Sequence, residues 1–342
     1  MASPTSFPAW VVESVDGAVH GRLRSLEVEA LSPGDVLLEA AWSSVNYKDA
    51  LAATGRGRLI RQFPMVPGID VCGRVLESSD ARWRPGQWVI ATGHELGTGH
   101  TGGYAGRVRV PADWLVALPA DLSPREAMLL GTAGFTVGLA VDRLFDNHQT
   151  PELGPLLVTG ATGGVGSLAV NVLSRLGFEV IALTGKSGQE GYLEGLGASE
   201  VWQRDGLTLG SGPLESARLG GGVDNLGGEV LSWMLRSTRP WGNVVTVGLA
   251  ASAELSVGVM PFILRGVSLL GVTASNCPTG RRAAVWERLA GAWRPARLED
   301  TLAGEIGLEE LPMAFLCLLE GRVRGRWLVR LPGAERADRP RA

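Results

Sequence analysis

Val158-Thr159-Gly160-Ala161-Thr162-Gly163-Gly164-Val165-Gly166 is the stretch whose reading decides the fold. It follows an apolar run, Leu156–Thr159, that reads as a strand, and it leads directly into a helical period over Ser167–Leu176. In that setting Gly163 and Gly164 let the backbone approach a pyrophosphate, and Gly166 lets the helix pack close to the sheet. The helix N-terminus adds unpaired N–H groups and the positive end of its dipole, which suit the phosphates of a dinucleotide. Taken as GxGxxG, the run has Ala161 where the first glycine would stand. A purely structural turn can use the same letters. The strand–loop–helix order is what favours the dinucleotide.

Outward from the loop, strands alternate with helices. Glu179–Leu183 reads as a strand, Gln189–Leu196 as a helix stopped by Gly197, and Glu200–Gln203, Val223–Leu226 and Asn243–Gly248 as further strands. That alternation predicts a doubly wound parallel sheet, a Rossmann domain, over residues 125–275. The preceding third is different. Val36–Ala41, Val71–Glu77, Trp88–Thr92 and Arg107–Val110 are short apolar runs between Gly and Pro, so a β domain is expected up to residue 124. Ser123-Pro124-Arg125-Glu126 opens a helix with a capping box. After 276 a helix, Arg281–Trp293, and a strand, Trp327–Leu331, are too little for a separate core. They are expected to return to the N-terminal β domain, giving an α/β chain of two domains, 1–124 with 276–342 and 125–275. Residues 1–8 and 334–342 read as frayed ends.

The end of the second strand of the nucleotide domain bears on the cofactor. An NAD site places an acid there for the ribose 2′-OH. Here the strand ends in Thr184-Gly185-Lys186-Ser187, with no acid, and Arg204 follows the next strand. A hydroxyl, a free N–H and two cations suit a 2′-phosphate, so NADPH is favoured. The alternative is that Lys186 occupies a solvated turn. Lysine occurs only there and at Lys48.

Composition narrows the classes. A net charge of −3 is not the electrostatic footprint of a nucleic-acid binder. Cys72, Cys277 and Cys317 are an odd, scattered set, a poor disulfide framework that points to a reducing, cytoplasmic setting. The first residues lack the basic and apolar regions of a signal peptide, and no stretch is expected to be long and apolar enough to span a bilayer. No metal is expected either. Three cysteines cannot make a four-Cys zinc site, and Cys72, His20, His94 and His100 show no CxxC or HxxxH spacing. Cys72 reads as a small buried hydrophobe in a strand. His94 and His100 lie in Gly93–Gly103, read as a solvated loop, with ligand contact as the other reading.

Several longer segments carry a resemblance. They are Trp42-Ser43-Ser44-Val45-Asn46-Tyr47-Lys48-Asp49-Ala50-Leu51, Phe63-Pro64-Met65-Val66-Pro67-Gly68-Ile69-Asp70, Asp113-Trp114-Leu115-Val116-Ala117 and Gly131-Thr132-Ala133-Gly134-Phe135-Thr136. The glycine loop, Val259-Met260-Pro261-Phe262-Ile263-Leu264-Arg265 and the closing Gly325-Arg326 extend it. Over nearly its whole length the chain resembles zinc-free medium-chain dehydrogenases/reductases of the YhdH/YhfP type. These include NADPH-dependent acrylyl-CoA reductases and proteins first labelled quinone oxidoreductases. The resemblance implies a GroES-like β domain beside the Rossmann domain, with the nicotinamide in the cleft between them. It implies cofactor contacts from Tyr47, Thr162, Gly163, Gly164, Val165, Thr184, Gly185, Lys186, Arg204, Leu249, Ile263 and Arg326. It also implies a homodimer in which Val267–Val272, otherwise an exposed sheet edge, pairs across a two-fold axis. In zinc-dependent relatives the first segment carries a Cys ligand and the second a His, and neither stands here.

The expected chemistry is conjugate reduction of a small-molecule substrate, a short α,β-unsaturated acyl-CoA, by hydride delivery to its β-carbon. Asn46 and Tyr47 are the candidate orienting groups for the developing enolate. The proton donor stays open between Tyr47 and water, and the Tyr47 hydroxyl could equally do no more than hold the nicotinamide amide. Arg56, Arg58 and Arg61 could meet the phosphates of CoA, or could simply be solvated. Two rivals stand beside this reading, a reductase of quinones or small enones and a non-catalytic NADPH-binding sensor or scaffold. The chain departs from the family at Thr273-Ala274-Ser275-Asn276, at Gly106 in place of an acid, and at Asp224-Asn225-Leu226-Gly227 in place of Asp-Thr-Val-Gly.

Overall fold

Residues 6–337 are described by the structure, a computed structural model. In chain order it runs β1 (Ser6–Val15), β2 (Ala18–Glu27), β3 (Val36–Val45), α1 (Tyr47–Ala53), β4 (Asp70–Ser78), β5 (Trp88–Thr92), β6 (Arg107–Val110), β7 (Leu115–Ala117) and α2 (Pro124–Asp146). It continues through β8 (Leu156–Thr159), α3 (Gly164–Arg175), β9 (Val180–Thr184), α4 (Glu190–Gly195), β10 (Glu200–Gln203), β11 (Leu219–Asp224), α5 (Gly228–Ser237), β12 (Thr238–Thr246), α6 (Met260–Arg265) and β13 (Ser268–Gly271). It closes with α7 (Thr279–Ala290), β14 (Leu302–Ile306), α8 (Leu311–Leu319), β15 (Arg326–Arg330) and α9 (Ala334–Ala337).

Two compact units result. The first runs to Thr132 and resumes over Ala274–Ala290 and from Leu302. The second holds Ala133–Thr273 and Gly291–Thr301. The breaks expected at 124/125 and 275/276 therefore fall at 132/133 and 273/274, and a short segment crosses back. Side-chain contacts account for the first shift and for the returning segment. Thr132 is tied to Asp70 in the first unit. The Arg297 amide donates to Asn171 Oδ1 on α3, and Trp293 packs edge-on against Phe145, both in the second unit.

In the first unit a seven-stranded sheet has the order β14-β15-β3-β4-β5-β7, with β6 also on β3. The C-terminal strand does return: Trp327 to Arg330 pair antiparallel with Val45 to Trp42. Alternation along β1 buries Phe7 and Ala9 in this unit's core, with Leu38, Val71, Val89, Leu311 and Phe315. Ser6–Pro8 are thus part of a strand and Ala334–Ala337 part of a helix, so the frayed ends expected there are not found. Residues 1–5 and 338–342 lie outside the described residues. Gly106, where the family has an acid, is packed so closely that a Cβ would come within 3.3 Å of Phe7 and 3.4 Å of Pro8 and Pro332. The loop Gly93–Gly103 also differs from expectation. It is largely buried, because Thr101 and Ser32 exchange reciprocal bonds and both ring nitrogens of His100 lie within 3.0 Å of the Thr101 and Pro33 carbonyls. His94 stacks flat on Trp114, with centroids 5.0 Å apart.

The second unit is a six-stranded parallel sheet in the order β10-β9-β8-β11-β12-β13, the doubly wound arrangement that the alternating pattern predicted. Its central strands β8, β9 and β11 are buried along their whole length, as a sheet covered on both sides requires. Trp233, Met234 and Leu235 of α5 pack with Leu157, Ile181 and Leu183. β13 forms one edge.

α2 corrects another expectation: among the described residues it is long and apolar enough to cross a membrane, and 78% of the qualifying window is buried in the structure. Burial of that extent is what a core helix shows. The capping box at its start is present, with Ser123 N–H donating to Glu126 Oε2 and Glu126 N–H to Ser123 Oγ. The helix is interrupted at Gly131, with φ +50° and ψ −153°. A Cβ there would lie 2.6 Å from Arg326 Nη2 and Asp70 Oδ2 and 2.7 Å from Ser44 Oγ. Gly131→Ala is therefore expected to combine backbone strain with overpacking and lower stability by about 2–5 kcal/mol. Thermal and urea unfolding of the two proteins would measure it, and coincident curves would refute this account of the kink.

Candidate functional site

In the first unit the candidate residues surround a buried acid. Asp70 opens β4 with no exposed surface. Its carboxylate accepts from Ser44 Oγ at 2.6 Å, Asn46 Nδ2 at 2.8 Å, Thr132 N–H at 2.9 Å and the Thr132 hydroxyl. Arg326 Nη2 lies 3.7 Å away. Arg326 is only 3% exposed and spends its donors inside the unit, on Leu129 O, Val45 O, Asn46 Oδ1 and Ser44 Oγ. Asp49, three residues after Asn46, is equally buried and accepts from Asn46 N–H, Asn46 Nδ2 and Ile69 N–H. Burial, then the charge of Asp70 beside it, push the Asp49 carboxyl up to about 7, against the pull of those N–H donors.

Asn46 and Tyr47 are therefore placed differently. Asn46 caps α1, and its amide is committed on both sides, to Asp49 and Asp70 as donor and to Arg326 as acceptor. Tyr47, the first residue of α1, is 48% exposed. Any direct contact with a ligand from this pair falls to Tyr47, while Asn46 fixes the start of the helix that carries it. Arg56, Arg58 and Arg61 follow the same helix, all exposed, and none takes part in an ion pair among the described residues. The segment that departs from the family is pinned by Arg282, whose guanidinium donates to the Ala274 carbonyl at 2.7 Å and to the Thr92 carbonyl at 2.8 Å.

In the second unit the glycine loop joins β8 to α3. The helix begins at Gly164, three residues earlier than predicted, and Gly163 caps it with no side chain on its N–H groups. Gly166 is required by the turn itself: a Cβ would sit 2.3 Å from Gly160 O. The strand ends are held by Asp224, which accepts from Thr159 Oγ1 at 2.8 Å and from the N–H groups of Leu226 and Gly227. The family departure at Asn225 has a local use, since its amide donates to Thr159 O at 2.7 Å. At the end of β9, Thr184 Oγ1 accepts from Lys186 N–H, and the Arg204 guanidinium lies across Gly185, where a Cβ would come within 3.2 Å of it. Thr184, Gly185, Lys186 and Arg204 are thus gathered in one place. Burial lowers the ammonium pKa of Lys186 from its ordinary value. Leu249 and Ile263 are 66% and 68% exposed on this unit.

The reading of the residues missed Asp49, Asp70, Ser44 and Thr132. Their signal was present: acids in Tyr47–Leu51 and Ile69–Cys72 and an arginine in Gly325–Leu328 are charges inside apolar runs, and buried charges need partners. A zinc ion does not fit. Among the described residues no group of three or more His, Cys, Asp or Glu could hold one. Cys72 is enclosed within β4, and the two buried acids are already saturated with N–H and O–H donors.

Comparison with known proteins agrees with this architecture. Residues 32–120 match the alcohol dehydrogenase GroES-like domain, and 164–291 match the family described as zinc-binding dehydrogenase. The chain is 43% identical to acrylyl-CoA reductase AcuI of Ruegeria pomeroyi over 326 residues, 94% of this chain and 98% of that one. YhfP of Bacillus subtilis, which bears a quinone oxidoreductase name, is 43% identical over 96% of this chain and 99% of its own. Its crystal structure with NAD bound superposes with a TM-score of 0.93, at 43% identity, over 96% of this chain and 100% of that one. The YhdH oxidoreductase of Salmonella enterica in complex with NADP gives a TM-score of 0.92 at 44% identity, over 95% and 99% of the two chains.

The raised Asp49 carboxyl has a consequence for stability. An acid whose folded pKa lies above its unfolded value binds its proton more tightly when folded. Its contribution is complete below about 3.8 and is lost as pH rises through about 7. Urea titrations between pH 4 and 7.5 are expected to show this loss, a few kcal/mol at most. Asp49→Asn should flatten that part of the profile, whereas an unchanged slope in the variant would assign the proton elsewhere.

Proposed function

The chain belongs to the YhdH/YhfP/AcuI family of medium-chain dehydrogenases/reductases, and on that footing we propose that it is an NADPH-dependent reductase of an activated C=C bond, acting on a short α,β-unsaturated acyl-CoA, acryloyl-CoA foremost. The observation that carries the cofactor half is the meeting of Lys186 and Arg204 around Gly185, with no acid at the end of β9. The substrate half rests on full-length similarity to a named acrylyl-CoA reductase.

When bound, the dinucleotide supplies a hydride, which goes to the β-carbon of the acyl group while the α-carbon takes a proton. The chain's own residues do the rest. Lys186, Arg204 and the Thr184 hydroxyl take the 2′-phosphate. Thr162, Gly163, Gly164 and Val165 line the pyrophosphate, with the N–H groups of Gly164 and Val165 at the start of α3 donating to it, since the Gly163 N–H is spent on Gly160 O at 2.9 Å. Leu249 and Ile263 offer apolar contact. Tyr47 orients the reacting groups from a helix start held by Asn46, Asp49 and Asp70, with Arg326 beneath. Arg56, Arg58 and Arg61 hold the CoA phosphates, so that remote binding energy orients a very small acyl group. A second copy pairs along β13, covering that edge. Three free cysteines suit a reducing, cytoplasmic setting.

Lys186→Ala is expected to weaken NADPH binding about 10-fold to 150-fold, the worth of one charge-assisted hydrogen bond, and NADH binding far less. Fluorescence titration of both cofactors measures this, and equal losses would remove Lys186 from the 2′-phosphate. For the substrate, acryloyl-CoA, crotonyl-CoA, benzoquinone and a simple enone are compared as acceptors. Acryloyl-CoA should be the best. Replacing Arg56, Arg58 and Arg61 by Ser should cut its kcat/KM while leaving benzoquinone nearly unchanged. Brisk reduction of benzoquinone with none of acryloyl-CoA would move the assignment to quinone reduction. NADPH binding with no acceptor turnover would leave the sensor reading.

A further inference from the structure

The glycine loop has a tether beneath it. Ser167, in the first turn of α3, has no exposed surface. Its hydroxyl donates to Gly163 O at 2.8 Å, with Ala161 O at 3.3 Å. The Ser167 N–H reaches the same Gly163 carbonyl at 2.8 Å. Tyr192, half-buried on α4, donates its own hydroxyl to Ser167 Oγ at 3.0 Å. A serine hydroxyl has one proton and two lone pairs. The carbonyls can only accept, so the Ser167 proton is directed at them, and the Tyr192 hydroxyl, donating to one lone pair, fixes the oxygen from the other side.

The same six-residue helix reaches the other end of the cradle. Glu190 Oε1 accepts from Gln203 Nε2 at 3.0 Å, and Gln203 Nε2 also lies 3.5 Å from Lys186 O. Arg204 is the next residue. So α4 braces the loop proposed for the pyrophosphate through Tyr192 and the residues proposed for the 2′-phosphate through Glu190.

We propose that Tyr192 is a positioning residue for cofactor binding: through Ser167 it holds the Gly163 carbonyl against α3 and keeps the N–H groups at the start of that helix set for phosphate. The inference rests on the dinucleotide reading of residues 160–166. The competing account is ordinary. Serine in a helix commonly bonds back to the carbonyl four residues earlier, and it needs no tyrosine to do so.

The test is a double-mutant cycle on the full chain, with NADPH and NADH binding followed by fluorescence titration of the wild type, Tyr192→Phe, Ser167→Ala and the double variant. Tyr192→Phe removes one hydroxyl and is expected to raise Kd for both cofactors about 3-fold to 10-fold, the range of one hydrogen bond. The NADPH to NADH preference should stay as in the wild type, which separates this effect from that of Lys186→Ala. In turnover the change should fall on KM for NADPH rather than on kcat. The double variant should bind no more weakly than Ser167→Ala alone, because both changes cut one chain of bonds. Wild-type affinity in Tyr192→Phe overturns the proposal, and so do two effects that multiply. A wild-type chain that binds neither cofactor overturns the functional reading itself, which keeps the two failures distinct.

Discussion

The carboxylate of Asp70 is the constraint around which the first unit is arranged. It draws on three stretches far apart in the chain: the turn from the end of β3 to the cap of α1, the interruption in α2 and the start of β15. A buried acid and a buried guanidinium each cost several kcal/mol to desolvate, and their attraction offsets this only when the remaining donors and acceptors are also satisfied. Here they are. Arg326 is met by two carbonyls, an amide and a hydroxyl, and Asp70 by hydroxyl and N–H donors. Removing one partner leaves the other charge buried and alone, so the group acts as a unit. Gly131 belongs to it although it has no side chain, because the helix backbone passes too close to the cluster for any Cβ.

This arrangement also connects structure to chemistry. Asn46 faces inward, and what it provides is the direction of α1. Tyr47, one residue on, presents a phenol at a helix start that three buried charged residues hold in place. A site built on such a frame loses little side-chain freedom on binding, which is the general advantage of preorganised donors.

The second unit solves a different problem by different means. Its strand ends are fixed by a small polar knot, in which Asp224 binds Thr159 and Asn225 binds the same residue's carbonyl. Its loops close by backbone contact at glycine. Gly166 against Gly160 is a position where a Cβ has no room, and at Gly185 a Cβ would press on the Arg204 guanidinium. The departure at Asn225 fits this knot, and that at Gly106 fits the packing around Phe7 and Pro332. The departure at residues 274–275 is held by Arg282.

Local chemistry written in consecutive residues was readable without coordinates. The strand–glycine–helix run, the parallel alternation after it, the capping box at Ser123, the missing acid after β9 and the absence of zinc-ligand spacing all depend on neighbours in sequence. The Rossmann sheet was legible because each βα unit is local. The β1–β2 hairpin and α8 were not, since Ser6–Pro8 look like a polar end until β2 pairs with them and Leu311–Leu319 has no period of its own. The burial of Gly93–Gly103 was hidden for the same reason: Ser32 and Pro33, far away in the chain, supply its partners. The amino-acid sequence alone determined the fold class, the nucleotide loop and the candidate residues. Only the tertiary structure decided that Asn46 and Arg326 turn inward, that Tyr47 is the exposed one, and that Tyr192 stands under the glycine loop. The physical reason is that a buried charge or hydroxyl must find its partner wherever the chain brings one within about 3 Å, and that distance in space is not written in separation along the chain.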